Sequence, residues 1–259
     1  MRLKVLGPML ICALVAAGTR VMTITNGVPD GNRHPYVGIM LQPIPDMPGY
    51  YSVCSGAALS ATTFLTAAHC ADPSMPVLVS YKSAPPFSLA KDFTSGTFHP
   101  HPAWCIGCGP GLVAFDYHDV AVVTLDKRSN PGGFAKLPSE GLVDTLAMGT
   151  AVDLVGYGVQ GFVPGGGPKQ QLFFFTRYFA PSQLVQSDNV TSSEFIKLSA
   201  NPSQGSGGIC FGDSGGPDLL GGTNVVLAVN SYVTNGNCSG VTYSNRVDLP
   251  DILGFIKSF

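Results

Sequence analysis

A chain of 259 residues suits one large all-β domain or two small ones, and length alone does not separate them. Only 12% of the residues are charged, while 32 glycines and 21 prolines punctuate the chain, which fits a compact, turn-rich β protein and argues against a helical bundle or long disordered regions. The formal net charge is −2 and no basic block or Lys/Arg-rich helix is present, which argues against a nucleic-acid partner.

Residues 1–18, MRLKVLGPMLICALVAAG, carry Arg2 and Lys4, then an apolar run from Met9 to Ala17, then small residues. The run is too short to span a bilayer and reads as a secretory signal peptide cut after Ala17 or Gly18. Its removal takes away Cys12 and leaves Cys54, Cys70, Cys105, Cys108, Cys210 and Cys238, an even set that implies about three disulfides in an exported chain. No second apolar run of membrane length follows, so a soluble extracellular protein is expected. Along the body, VSYKSAPPFSL, DVAVVTL, AVDLVGYG, QQLFFFTRYF and NVVLAVNSYV read as strands, rich in β-branched or aromatic residues and separated by Gly, Pro, Asn and Ser clusters. Gly161 to Gln170, GFVPGGGPKQ, reads as a long surface loop. VDLPDILGFIKSF reads as a closing helix, with Asp248 as cap, Pro250 in the first turn and Ile252, Leu253, Phe255 and Ile256 on one face.

The stretch GICFGDSGGPDL surrounds Ser214 with glycines. Glycine permits positive φ and close backbone approach, so the run Gly212 to Gly216 can make a tight turn whose N–H groups cradle an oxyanion while the hydroxyl attacks a carbonyl. The plainer alternative is a glycine-rich turn with an incidental serine. Gly212 to Gly216 also satisfies G-x-S-x-G, but the nucleophile elbow that this pattern marks has its histidine after the serine. All five histidines, His34, His69, His99, His101 and His118, precede Ser214. His69 in FLTAAHC has small neighbours that leave room for its ring, and Asp119 in YHDVAVVTL opens an apolar strand, where a buried carboxylate needs a hydrogen-bonded partner such as an imidazole N–H.

TAAHC, HDVAV and GDSGGP, in that order, resemble the trypsin-like (chymotrypsin-family) serine proteases. The resemblance runs from Ile24 to Phe259 and includes ITNG, CSGAALSATTFLTAAHC, FHPHPAW, VGYG, SYV and the terminal segment. It implies two six-stranded antiparallel β-barrels with the active site in the cleft between them, a boundary near residues 127–141, and a C-terminal helix. It also implies His69, Asp119 and Ser214 as a catalytic triad, Gly212 and Ser214 as oxyanion-hole donors, and the disulfides Cys54–Cys70 and Cys210–Cys238. The activity implied is that of a secreted endopeptidase without cofactor or metal, monomeric, with protein or peptide substrates and protein protease inhibitors as partners. A catalytically silent binding protein on the same fold is the alternative.

Cys105 and Cys108 depart from the family pattern. With His99 and His101 nearby, HPHPAWCIGC has the look of a metal site, but an oxidising compartment favours a small-loop disulfide. By the resemblance, Gly208, Ile209, Ser231 and Val233 shape the substrate pocket. No carboxylate stands at Gly208, so small or medium apolar residues rather than Arg or Lys are the expected specificity. The resemblance also pairs a freed Ile24 ammonium with Asp213, leaving residues 19–23 as a short propeptide. Asp218 occupies a place where an apolar strand residue is expected, and Asn189-Val190-Thr191 and Asn237-Cys238-Ser239 match glycosylation sequons.

Overall fold

The computed structural model describes residue 24 and residues 27–108, 115–162, 170–186 and 194–259. Residues 1–18, expected as a signal peptide, residues 19–23, expected as a propeptide, residues 163–169 of the glycine-rich loop and the Asn189 sequon lie outside the described residues.

The chain enters through a short strand, β1 (Val28–Pro29), and then builds β2 (Val37–Pro43), β3 (Tyr51–Ala58), β4 (Thr63–Thr66), β5 (Val77–Ser80), β6 (Thr94–Pro100) and β7 (Ala121–Leu125), with a one-turn helix α1 (Leu89–Asp92) between β5 and β6. These six close into an antiparallel barrel in the order β2-β3-β4-β7-β6-β5. The second half supplies β8 (Ala151–Gly156), the small hairpin β9 (Gly161–Phe162) and β10 (Gln171–Leu172), then β11 (Tyr178–Gln186), β12 (Phe195–Ala200), β13 (Pro217–Leu220), β14 (Val226–Val233) and β15 (Gly240–Arg246). Its order is β11-β12-β15-β14-β13-β8, closed by pairing of β8 with β11. Numbered within each barrel, both run 1-2-3-6-5-4. Closure removes free sheet edges, which short strands with many turns otherwise expose.

The entry strand β1 pairs with β11, and Ile24, 1% exposed, packs among the apolar residues of the second barrel. A larger cluster fills the first barrel and continues through Val155, Tyr157 and Leu219 to Ile252 and Ile256 of helix α2 (Pro250–Ile256). Of the apolar face expected of that helix, Ile252, Leu253 and Ile256 are buried and Phe255 is half-buried. Three local expectations change. The first predicted strand ends at Ser80, before a turn with a cis Pro85–Pro86 bond. QQLFFFTRYF is not one strand: only Gln171–Leu172 and the residues from Tyr178 onward pair, and Phe175 has a positive φ of 51°. Asp248 does not cap the helix, whose N-cap is Leu249 with no side-chain bond. Its carboxylate instead accepts from Arg246 Nε and Nη2, each at 2.9 Å, and from Val143 N at 2.8 Å, because a buried guanidinium competes more strongly than an exposed helix end.

Among the described residues no helix is long and apolar enough to cross a membrane. Three disulfides join Cys54 to Cys70, Cys105 to Cys108 and Cys210 to Cys238. Both sulfurs of the HPHPAWCIGC segment are thus committed to each other.

Candidate active site

Register brings His69 and Asp119 together. Strands β4 and β7 are antiparallel with Thr66 opposite Ala121, so the residues just after β4 lie beside those just before β7. His69 sits on a 3₁₀ turn, Ala68–Cys70, and the Cys54–Cys70 bridge fastens that turn to β3. Asp119 is fully buried. Its carboxylate accepts from the His69 backbone N–H at 2.8 Å, stands 2.7 Å from His69 Nδ1, and accepts from Ser231 Oγ at 2.5 Å. Burial alone would depress the imidazole pKa, but the Asp119 charge and hydrogen bond outweigh it and hold it above its usual value, with a smaller push from Asp116. Burial would raise the Asp119 pKa, and the His69 charge and hydrogen bond followed by the Ser231 hydroxyl hold it below the usual carboxylate range. Nδ1 therefore carries the proton toward Asp119, and Nε2 is the nitrogen left to accept one.

Ser214 stands on the turn between Cys210 and β13. Gly212 has φ +95° and Gly215 φ +79°, conformations that side-chain-bearing residues rarely adopt, and a Cβ at Gly215 would run into Thr66 Oγ1 and the Ser55 carbonyl. The turn is tied inward by Asp213 N to Cys210 O at 3.0 Å, Gly216 N to Asp213 O at 2.9 Å and Gly215 N to Asn230 O at 2.8 Å. It is tied to the first barrel by Ser55, whose N–H donates to Ser214 O at 2.8 Å and whose hydroxyl donates to Gly212 O at 2.9 Å. Among the described residues, the backbone N–H groups of Gly212 and Ser214 have no acceptor. His69 and Ser214 line one cleft of about 420 Å³, together with Ile209, Phe211, Ser231 and Val233. No hydrogen bond joins the ring to the hydroxyl, a looseness common where no substrate is bound.

The family model described as Trypsin matches residues 30–250. The chain belongs to the trypsin family. Among solved structures, an HL collagenase superposes with a TM-score of 0.68 at 17% identity, covering 90% of this chain and 97% of its own. A human heparin binding protein does so with 0.62 at 18%, covering 91% and 96%. A search of curated proteins finds no match. At these identities the structural likeness speaks for the trypsin fold and leaves the chemistry to this chain's own residues.

Of the pocket residues expected from the trypsin-family resemblance, Ile209, Ser231 and Val233 line the cleft and Gly208 does not. Phe211, which the sequence reading passed over, does line it and is 46% exposed. Asp213 is fully buried, with its carboxylate accepting from Gly158 N at 2.7 Å and Cys210 N at 2.9 Å. Burial pushes its pKa up to about 7 against the pull of those two donors, and among the described residues no cation faces it. Two groupings of ligand-type side chains occur among the described residues: Cys54, His69 and Cys70, and His69, Asp116 and Asp119. The first has both sulfurs in a disulfide, and in the second the Asp119 oxygens already face three donors. Ser55 and Asn230 are the further residues that hold the turn. The sequence motifs do not assign either a role, because their partners on the turn are brought to them only by the fold.

Proposed function

We propose that this trypsin-family protein is a secreted serine endopeptidase working through an acyl-enzyme. The observation that carries the reading is the His69–Asp119 pair facing Ser214 across one cleft, beside two uncommitted backbone N–H groups. In this reading, Ser214 Oγ attacks the peptide carbonyl carbon and His69 Nε2 takes the hydroxyl proton. The carbonyl oxygen, now an anion, lies against the N–H groups of Gly212 and Ser214. Collapse of this intermediate breaks the C–N bond as the imidazolium returns the proton to the leaving amine, and water repeats the sequence to free the acid. Asp119 fixes the tautomer and stabilises the imidazolium.

Ile209 and Val233 contribute apolar side chains to the cleft and no acidic residue is among those lining it, which fits cleavage after small or medium apolar residues rather than after Arg or Lys. Three disulfides fit an exported protein, and protein inhibitors that mimic substrate fit the same cleft. Activation by a cut before Ile24 would give the buried Asp213 carboxylate an ammonium partner. An α-amine titrates near 7.7 to 8.0 unperturbed, and the pair raises it. Its stabilisation is fully present below the unpaired pKa and fades as pH rises through the raised one, so activity falls reversibly at alkaline pH.

Protein hydrolysis by the wild type, lost on the order of 10⁶-fold in kcat in Ser214→Ala, is the expected result, with a sulfonyl fluoride labelling Ser214 and the active form beginning at Ile24. Equal activity in Ser214→Ala would sink the mechanism. An inert, unlabelled wild type would leave the silent binding protein.

A further inference from the structure

Of the three disulfides, two are closed to solvent and one is open. Cys54 and Cys70 are 7% and 6% exposed, and Cys210 and Cys238 are 2% and 0%. Cys105 and Cys108 both lie at the surface, as do Ile106 and Gly107 between them. The exposed bridge also closes the shortest ring, with a sequence separation of 3 against 16 and 28. In the chain-entropy account a disulfide stabilises more the longer the loop it closes, so this bridge contributes least to the fold. Exchange needs a thiolate to reach a sulfur, and exposed bridges are the labile ones.

The ring closed by this bridge holds Asp116 beside His69. Gly107 N, inside the ring, donates to Asp116 Oδ1 at 2.9 Å, and Trp104 Nε1, next to Cys105, donates to Oδ2 at 3.4 Å. Cys105 and Tyr117 exchange both backbone bonds, Cys105 N to Tyr117 O at 3.1 Å and Tyr117 N to Cys105 O at 2.9 Å, which fixes the ring to the segment that runs on to Asp119. An Asp116 carboxylate oxygen in turn lies within 4.8 Å of a His69 ring nitrogen. Asp119 and Asp116 are the charged groups acting on His69, both favouring its protonated form, while Ile209, Phe211, Ser214, Ser231 and Val233 across the cleft carry no charge. Gly107 aims its N–H from a left-handed turn, φ +66°, that the ring constrains. With the bridge open, these four surface residues regain freedom, and water competes for the Gly107 bond.

We propose that Cys105–Cys108 is a redox site, opened by an external dithiol, whose reduction releases Asp116 from its place beside His69. A thiolate of the dithiol attacks one sulfur of the bridge, the S–S bond breaks, and its electron pair stays on the other sulfur. The second thiol of the reductant then attacks the mixed disulfide. The reductant leaves as a cyclic disulfide, and the protein keeps two electrons and two protons as two thiols. His69 loses one of the two carboxylates that favour its charged form, so its pKa falls toward the value that Asp119 alone sets. As a control on a general base, the inference rests on the endopeptidase reading.

The first test treats the folded protein with graded dithiothreitol, caps thiols with iodoacetamide and maps them by mass spectrometry. Cys105 and Cys108 are expected to be capped while the other four cysteines stay paired and the circular dichroism is unchanged. A bridge that persists until the buried pairs also open overturns the redox site. The second test is an NMR titration of the His69 imidazole, which needs no substrate. The reduced and capped protein, the Cys105→Ser/Cys108→Ser variant and Asp116→Asn are each expected to titrate at lower pH than the oxidised wild type, and reduction is expected to add no shift in Asp116→Asn. An unmoved titration on reduction, or a shift of equal size in Asp116→Asn, overturns the link to His69. The acid limb of kcat/KM against pH is expected to move with the NMR value. A protein that hydrolyses no peptide loses the endopeptidase reading, while thiol mapping and the imidazole titration still decide the redox site.

Discussion

Asp119 holds its imidazole through two contacts, a backbone N–H and Nδ1, and each asks something different of the side chain. Asparagine at this position keeps the shape but can present an N–H to Nδ1, which forces the proton onto Nε2 and leaves the serine without a base. Asp119→Asn is therefore expected to lower kcat by about 10⁴, the magnitude known for the family's triad, with little change in melting temperature. If the proposed mechanism holds, the wild-type rate is expected to rise as His69 loses its proton, through a pKa above the usual imidazole value, and steady-state rates against pH locate it. Asp218 is a different kind of buried acid. It faces Leu154 and Ala228 in register on β13, and neither of its oxygens has a hydrogen-bond partner. Burial pushes its pKa up to about 8, moderated by the Ser244 hydroxyl, which stands near without meeting hydrogen-bond geometry. The folded state thus keeps a proton that the unfolded chain releases near pH 4, so stability falls by about 1.4 kcal/mol per pH unit as pH climbs between the two pKa values. Asp218→Asn removes that dependence. Thermal melts of the two proteins are expected to diverge from pH 5 to pH 8 in favour of the variant, and parallel curves would show that Asp218 is ionised in the fold.

At the scale of elements, the nucleophile turn is held by its own residues and also by β3. The Ser55 hydroxyl donates to Gly212 O and accepts from Tyr157 N at 2.9 Å, so one side chain links β3, the end of β8 and the turn, while the Ser55 carbonyl accepts from Thr66 Oγ1 of β4 at 2.8 Å. Ser55→Ala leaves two backbone groups without their partner at the point where the oxyanion donors are set. The expected cost is about 1–3 kcal/mol, read as a roughly tenfold or greater loss of kcat and an equal slowing of Ser214 labelling by a sulfonyl fluoride. A loss of stability with unchanged labelling of the folded fraction would make Ser55 a fold residue only.

At the scale of the whole molecule, a buried guanidinium from the second barrel is one of the links that tie it to the first. Arg177, at the start of β11, donates through Nε to Asp30 at 2.8 Å, through Nη1 to Val37 O at 2.9 Å and Tyr81 O at 3.1 Å, and through Nη2 to Gly31 O at 3.1 Å. Both side chains of the ion pair are fully buried, and His34 Nδ1 also faces Asp30. Burial would raise the Asp30 pKa, and the His34 and Arg177 bonds outweigh it, so the carboxyl is held below its ordinary value. Its contribution to stability is present above the unfolded pKa and is lost as pH falls through the folded one. Arg177→Met leaves the buried Asp30 carboxylate with His34 as its remaining partner, an expected loss of up to about 3–5 kcal/mol by urea titration at neutral pH. The same variant with Asp30→Leu recovers much of that loss, and failure to recover would place the energy in the carbonyl bonds instead.

The sequence by itself determined the features that neighbours along the chain can specify. Alternation and turn residues marked most of the barrel strands, Pro250 marked the first turn of the last helix, and three short motifs named His69, Asp119 and Ser214 before any geometry was known. With Cys12 set aside, the even set of six remaining cysteines pointed to three bridges, and all six are paired. Tertiary structure decided what depends on residues far apart. Both barrels share one strand order although no sequence repeat announces it, because strand order is set by which apolar faces close on each other and many sequences satisfy that. QQLFFFTRYF has the composition of a strand, yet Phe173 and Phe175 turn out of the sheet to wall a groove with Tyr50 and Phe93 from the first barrel. Asp248 has the residue type of a helix cap, yet Arg246 and Val143 claim it. Ser55 and Arg177 look like ordinary polar residues until partners 157 and 147 positions away arrive. A hydrogen bond of that range is invisible to local pattern, since its energy depends on burial and distance that only the closed barrels supply.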